Sequence, residues 1–285
     1  LVLAPWLGEN HAQFLTSFYE LDGTPNDLDP RHVLGSVIDR LADEGLTPVV
    51  AVELEFYLCD MEDGRPVPAR GMVTGHRSTE SGISEYAPGQ FEFTLRHKAD
   101  ALRATDDAIM YKRLVKGVAV LHGLEATFMA KPFAESAGSG MHLHISMNDT
   151  DGNNAFASED PAGTPLLRHA SGGMKTLLAE SMAIFAPNAN SYRRFKANSY
   201  APVAATWGVN NRTVSLRIPA GSPASRHVEH RICGADANPY LAMAAVLAAQ
   251  LHGIKHQIDP GPAVVGNGYE AEGADIRLPN HWAAA

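Results

Sequence analysis

Apolar and polar residues alternate with a period of two through GMHLHISM, residues 140–147. Successive side chains of a strand point to opposite faces. Met141, Leu143 and Ile145 therefore form an apolar face, and His142, His144 and Ser146 a polar one. The same period predicts strands in PVVAVELEFYL (48–58), GQFEFTL (89–95), EATFMA (125–130), AATWGV (204–209), TVSLRIP (213–219) and HVEHRIC (227–233). A period near 3.6 predicts helices over 29–46, 98–123, 164–185 and 238–254. Asp29 with Pro30 and Asn238 with Pro239 are cap-and-first-turn pairs, and Gly45 and Gly123 suit helix ends. The fourth helix is apolar on nearly every side, which predicts burial. Strands and helices do not alternate as repeated βαβ units. The expected class is α+β, a mostly antiparallel sheet with flanking helices. Residues 63–82, DGRPVPARGMVTGHRSTESG, read as a polar, glycine-rich, mobile loop.

The chain has 285 residues and is 45% apolar, enough for a large core. Its formal charge of −9 argues against a general nucleic-acid binder and fits cationic partners or metals. Cys59 and Cys233 are too few and too far apart for a disulfide framework, which predicts a reducing, cytoplasmic setting. No apolar run approaches the ~18 residues that span a membrane, so no membrane partner is expected. The chain opens on Leu1 rather than methionine and ends in AAA, the expected mark of a piece of a longer protein.

Carboxylates recur in the strand segments. Glu53 and Glu55 share one face of VELEF while Val52, Leu54 and Phe56 take the other. Glu92 sits between Phe91 and Phe93, Glu85 seven residues earlier, and Glu229 in HVEHR. Each taken alone is compatible with a solvated strand face, and His142 alone with a satisfied core histidine. Several buried carboxylates converging on one site imply cations, because an uncompensated buried charge is costly. Oxygen-rich sites with one imidazole suit Mg²⁺ or Mn²⁺ better than Zn²⁺. Five carboxylates and His142 suffice for two metals.

The stretch from 190 to 231 carries Arg193, Arg194, Arg212, Arg217, Arg226 and Arg231. Arg217 is compatible with a solvent-facing charge, and Arg231 with an ion pair to Glu229 on the same strand face. Arginines beside carboxylates also fit an anionic substrate bridged by metal, the equipment of phosphoryl transfer. No GxxxxGK[ST] loop is present, which excludes a P-loop enzyme.

VELEF, EYAPGQFE, KPF…GSGMHLHIS, NSYRRF, NNRTVSLRIP and RHVEHRICGADANPYL stand in an order that resembles the catalytic domain of the glutamine synthetase family, from about Pro30 to about Tyr269. The resemblance implies a two-metal, ATP-dependent ligase that phosphorylates the γ-carboxylate of glutamate and lets a nitrogen nucleophile displace phosphate. It implies Glu55, Glu85 and Glu92 as ligands of a metal on the glutamate side. Glu53, His142 and Glu229 would ligate the metal that takes the ATP phosphates. His144 to Ser146 would contact nucleotide, with Arg217 on a phosphate. Gly138, Arg194, Arg212 and Arg231 would contact glutamate and the transition state, Arg194 and Arg212 being the catalytic pair. The family further implies a homo-oligomer of stacked hexameric rings with active sites between subunits.

The sequence departs from the family at two points. Ammonia-using members carry a flap glutamate in Pro-Gly-Tyr-Glu-Ala-Pro, whereas ANSYAP here puts Tyr200 at that position. A phenol, with an ordinary pKa near ~10, is a poor general base at neutral pH. The SYRRF…SYAP pattern is similar to that of members joining glutamate to polyamines or monoamines. Ala137 also replaces the asparagine that precedes GSGMH in glutamine makers. The chain, 1–285, is expected to be the catalytic domain alone, without the amino-terminal β-grasp domain and carboxy-terminal helices, and with an internal segment missing near 80–81. An ordinary glutamine synthetase and a non-catalytic relative of the same fold are the alternatives.

Overall fold

The computed structural model describes residues 2–69, 83–271 and 277–285. Its long central strand, β3 (Thr47–Glu62), follows helix α1 (Pro30–Ala42). Asp29 caps α1 by accepting from the Arg31 amide at 2.8 Å, and it also accepts from the Phe18 amide at 2.6 Å. A short amino-terminal pair, β1 (Val2–Leu3) and β2 (Ala12–Gln13), precedes them. After β3 come β4 (Arg65–Pro68), β5 (Ile83–Ala87), β6 (Gln90–Thr94), helix α2 (Ala101–Leu121) and β7 (Glu125–Thr127). Then follow β8 (Met141–Asn148), α3 (Pro165–Leu177), α4 (Met182–Phe185), β9 (Trp207–Val209), β10 (Leu216–Ile218), β11 (Val228–His230) and α5 (Pro239–Lys255).

The main sheet runs β5-β6-β3-β8-β11-β10-β9, with β4 and β7 on the far end of β3. Every pair is antiparallel except β9 with β10. The α+β expectation holds. One face of the sheet is apolar: Val50, Val52, Leu54, Met141, Leu143 and Ile145 are fully buried in the core that α1, α2, α3 and α5 cover. Phe56 and Phe93 pack on Tyr111 of α2 with ring centroids at 6.3 and 4.7 Å. Alternation then forces the polar residues of the same strands to the opposite face. Asn238 caps α5 by accepting from the Tyr240 and Leu241 amides, and α5 is buried along most of its length, as its apolar circumference predicts.

Three expectations change. The helix expected over 164–185 breaks after Leu177, where the Ser181 hydroxyl bonds back to the Leu177 carbonyl at 2.8 Å and competes with helix continuation. The strands expected in 125–130, 204–209, 213–219 and 227–233 shrink to three residues each, because these edges pair over short registers before turning. Residues 65–68 of the expected loop are a strand hydrogen-bonded to the end of β3. The expected gap near 80–81 lies outside the described residues. No helix among the described residues is long and apolar enough to cross a membrane.

Candidate functional site

The polar face of the sheet opens into a cavity of about 320 Å³. Glu53, Glu55, Glu92, His142 and Glu229 all line it, although they span much of the chain. Their meeting is a consequence of strand register. Glu53 pairs with His142, Glu55 with Glu92, Glu229 with His144, and Arg217 with Glu229. Each residue of the row is directly opposite another on a neighbouring strand. The alternative of a solvated face for Glu53 and Glu55 is therefore excluded. Glu85 is opposite Phe91 in β5 and β6, and its side chain lies outside the described residues.

Hydrogen bonds fix the row. His142 Nδ1 is 2.5 Å from Glu53 Oε1, and His144 Nε2 is 3.2 Å from Glu53 Oε2. Thr94 donates to Glu53 at 3.1 Å. Glu55 accepts from the Gly140 amide at 2.6 Å. Glu229 is 1% exposed and takes Arg231 Nη1 at 2.5 Å on one oxygen and the Arg217 guanidinium on the other. Arg217 is thus an ion-pair partner inside the cavity and not a solvent-facing charge. The ion-pair reading of Arg231 holds, and that pair lines the cavity.

Electrostatics decide the protonation states. Burial pushes the Glu53 carboxyl up, but His142 and His144 outweigh it and hold Glu53 well below the usual carboxylate range. Burial likewise raises Glu229, yet Arg231, the two imidazoles and Arg217 bring it down to about 2. Both carboxylates are ionised at neutral pH.

Two groups of ligand atoms lie within metal-binding range. One atom each from Glu53, Glu55 and His142 lie within 4.8 Å of one another, and so do atoms of Glu53, His144 and Glu229. Glu53 belongs to both. His144, expected on the nucleotide side, stands in a ligand group, whereas Glu92 lies opposite Glu55 without joining either. Each group offers two carboxylate oxygens and one imidazole nitrogen, which fits a hard divalent cation.

The expected substrate contacts also collect here. Gly138, Arg194, Arg212, Arg217 and Arg231 line the cavity. Arg194 is 4% exposed, and its Nη1 donates to the Ile232 carbonyl at 3.0 Å. Ser146 is buried on the same strand face as His142 but does not line the cavity, and neither does His144, which is hydrogen-bonded to the lining Glu53. Arg226 is buried away from the cavity and donates to the Ser158 carbonyl at 3.2 Å. Tyr200 lines the cavity with Ser199 and Ala201, is 65% exposed, and has φ +57°. That left-handed backbone costs a bulky residue ~1–3 kcal/mol and concentrates at functional sites.

Some residues of the site escaped the sequence reading. Gln90 lines the cavity at 2% exposure, donates to the Gly138 carbonyl at 2.9 Å, and leaves its buried Oε1 without a partner among the described residues. Its alternation with Glu92 and Thr94 was the available signal. His227 alternates with Glu229 and Arg231 in the same way. Its Nε2 is 3.1 Å from His144 Nδ1, and burial pushes it down to about 4. His97 joins these two rings at centroid distances of 6.1 and 5.6 Å, with no periodic signal to mark it.

Comparison with known proteins gives concordant matches. The family model for the glutamine synthetase catalytic domain matches residues 27–78 and 69–285. The chain is 43% identical to the gamma-glutamylputrescine synthetase PuuA of Escherichia coli (strain K12), over 92% of the chain and 62% of that protein. It is 36% identical to a glutamate–isopropylamine ligase of Pseudomonas sp., over 95% of the chain and 66% of the relative. It is 36% identical to a glutamine synthetase of Pyrococcus abyssi (strain GE5 / Orsay), over the same shares. The chain thus spans 62–66% of the length of these curated relatives. A solved structure described as a GmaS/ADP complex superposes with a TM-score of 0.80 at 31% identity, over 92% of the chain and 68% of that structure.

Proposed function

The chain belongs to the glutamine synthetase family through its catalytic domain, and from that premise we propose that the protein is an ATP-dependent ligase joining the γ-carboxylate of glutamate to an organic amine through a γ-glutamyl phosphate. The observation that carries the reading is the single cavity in which Glu53, Glu55, Glu92, His142 and Glu229 face Arg194, Arg212, Arg217 and Arg231. Such a site takes a ligand that is anionic on one side and metal-bridged on the other.

Glu53, Glu55, Glu92, His142 and Glu229 would hold Mg²⁺ or Mn²⁺, with Glu85 as a further ligand. Bound divalent cations would neutralise the phosphate charge that develops as the γ-phosphoryl group moves to glutamate. Arg194 and Arg212 would orient and stabilise the reacting carboxylate, Arg231 and the Gly138 backbone would bind glutamate, and Arg217 would contact a nucleotide phosphate. Gln90 Oε1 and Arg231 Nε are buried and unpartnered among the described residues, an acceptor and a donor at one cavity. An amino acid presents the complementary ammonium and carboxylate. His144 and Ser146 belong to the nucleotide side of this reading.

Tyr200 favours an organic amine over ammonia. A flap carboxylate attracts ammonium and accepts its proton, and a phenol does neither well at neutral pH. The ring instead offers apolar surface to a carbon chain. The family's ring assemblies, with sites between subunits, supply the oligomer we propose for the whole protein. The buried free thiols of Cys59 and Cys233 fit a reducing cytoplasm. The ammonia-using alternative draws on the likeness to the Pyrococcus glutamine synthetase. A phosphate-release assay on the whole protein decides between them, with glutamate, ATP, Mg²⁺ or Mn²⁺, and ammonium, isopropylamine, ethanolamine or putrescine. Amine-dependent release with a γ-glutamylamide product supports the proposal. Release with ammonium alone selects the alternative, and no release with any nucleophile rejects ligase activity.

A further inference from the structure

Two loops contribute to the cavity lining: 199–201, which carries Tyr200, and 211–213, which carries Arg212. A third segment, 264–269, is fastened to the second. Asn211 Nδ2 donates to the Val264 carbonyl at 3.2 Å and to the Gly266 carbonyl at 2.8 Å. The Gly268 amide donates to Thr213 Oγ1 at 2.7 Å. A Cβ on Gly268 would stand 2.7 Å from the Thr213 carbonyl oxygen, so this approach needs a glycine. The next residue, Tyr269, then reaches across, and its phenol donates to the Ala201 carbonyl at 3.3 Å. Burial pushes that phenol up, which keeps it a donor.

The turn it touches needs holding. Asn198 and Tyr200 both have left-handed backbones, at φ +61° and +57°. A bulky residue keeps that conformation only where its surroundings over-determine it. The Ser199 hydroxyl ties the entry of the turn back to the Arg194 carbonyl at 3.0 Å and the Lys196 carbonyl at 2.6 Å. Tyr269 ties the exit. We propose that Tyr269 is a positioning residue: anchored through the 211–213 turn that carries Arg212, its hydroxyl holds the 199–201 turn and thereby sets where Tyr200 stands as the amine approaches. This inference rests on the amine-ligase reading for its consequence, but the strap itself stands on the hydrogen bonds above.

The test is Tyr269→Phe in the whole protein, read in two ways. Hydrogen–deuterium exchange measures the strap without reference to activity: exchange over 199–203 is expected to quicken by about fivefold or more, with the sheet strands unchanged. Unchanged exchange over 199–203 overturns the strap, whether or not the wild type ligates amines. Steady-state kinetics measure the consequence. The KM for the best nucleophile among ammonium, isopropylamine, ethanolamine and putrescine is expected to rise by about fivefold or more, while the KM for ATP stays within about twofold. An equal rise in both constants, or none in either, overturns the positioning role. A wild type inactive with every nucleophile would reject the ligase reading alone, and exchange would still decide the strap.

Discussion

His142 Nδ1 lies 2.5 Å from Glu53 Oε1, and the two residues are directly opposite positions of β8 and β3. On the other side of the same strand, Glu55 is directly opposite Glu92. One strand therefore carries a carboxylate hydrogen-bonded to an imidazole and, two residues on, two facing carboxylates. Like charges opposite one another in an antiparallel pair destabilise it by roughly 0.2–1 kcal/mol. Both carboxylates line the cavity, where a bound cation would offset their repulsion.

Metal dependence is the first consequence. Activity is expected to require Mg²⁺ or Mn²⁺ and to vanish in excess chelator. Glu92→Ala and His142→Ala are each expected to lower kcat/KM by about a hundredfold or more, since even residues that only support metal ligands are worth ~10–100-fold. The far-ultraviolet circular dichroism should stay that of the wild type. Calorimetric titration with Mn²⁺ gives an independent reading, and undiminished Mn²⁺ binding by His142→Ala would exclude the imidazole as a ligand.

Glycine at 138 tests the substrate side. A Cβ there would stand 2.5 Å from Arg194 Cγ and 2.9 Å from the Ala130 carbonyl oxygen, so Gly138→Ala must displace the buried arginine or the backbone. The KM for glutamate is expected to rise by about tenfold or more, the size of effect that a small misplacement of an orienting group produces. The KM for ATP should move far less. Equal changes in both would show that Arg194 does not orient glutamate.

The sheet face that carries chemistry was legible because a strand's period of two separates His142 from Leu143 and Glu53 from Leu54 without any knowledge of the fold. Register was not legible. That Glu53 meets His142 while Glu55 meets Glu92 follows from long-range pairing that no local pattern encodes. The ends of β9, β10 and β11 were overread for the same reason. Their apolar residues continue past the last paired position into buried loops, where Ala204 and Ile232 are core without being strand. Tyr200 was visible as a departure from a motif. Its left-handed backbone, and the hydrogen bond from Tyr269 to the neighbouring Ala201 carbonyl, needed coordinates.

His230 predicts an acid-sensitive fold. It is fully buried on the apolar face against Phe185, at a ring-centroid distance of 4.5 Å, and neither ring nitrogen has a partner among the described residues. Burial pushes its pKa down to about 3 from an ordinary 6.5. Between those values the unfolded chain holds the proton and the folded one does not, so the stabilisation is present above about pH 6.5 and is lost as pH falls. At pH 5 the loss is about 2 kcal/mol, from one and a half pH steps at ~1.36 kcal/mol each. His230→Leu removes the titrating group and two unsatisfied polar atoms. Denaturant unfolding should show the variant at least as stable as wild type at pH 8, with its advantage about 2 kcal/mol larger at pH 5. An advantage that does not grow between pH 8 and pH 5 would mean that His230 finds a proton partner in the folded state.

Tyr200 predicts the nucleophile. Ammonium must shed a proton before it attacks, and a nearby carboxylate both attracts it and takes that proton. At this position the cavity presents an exposed phenol flanked by Ser199 and Ala201, a hydroxyl and a methyl. Ammonium gains little from that surface. An organic amine gains ~0.8 kcal/mol for each methylene it buries, so a four-carbon chain contributes about 3 kcal/mol, or roughly a hundredfold in binding. Incomplete burial and the ordering of a flexible chain reduce this. The kcat/KM for the best organic amine should therefore exceed that for ammonium by about tenfold or more. Tyr200→Glu should narrow or reverse that ratio, because it restores a carboxylate while removing apolar surface. Steady-state kinetics at one pH, with products identified by mass spectrometry, measure both. If ammonium is the best nucleophile of the wild type and glutamine its main product, Tyr200 is a tolerated substitution and the specificity lies elsewhere in the cavity.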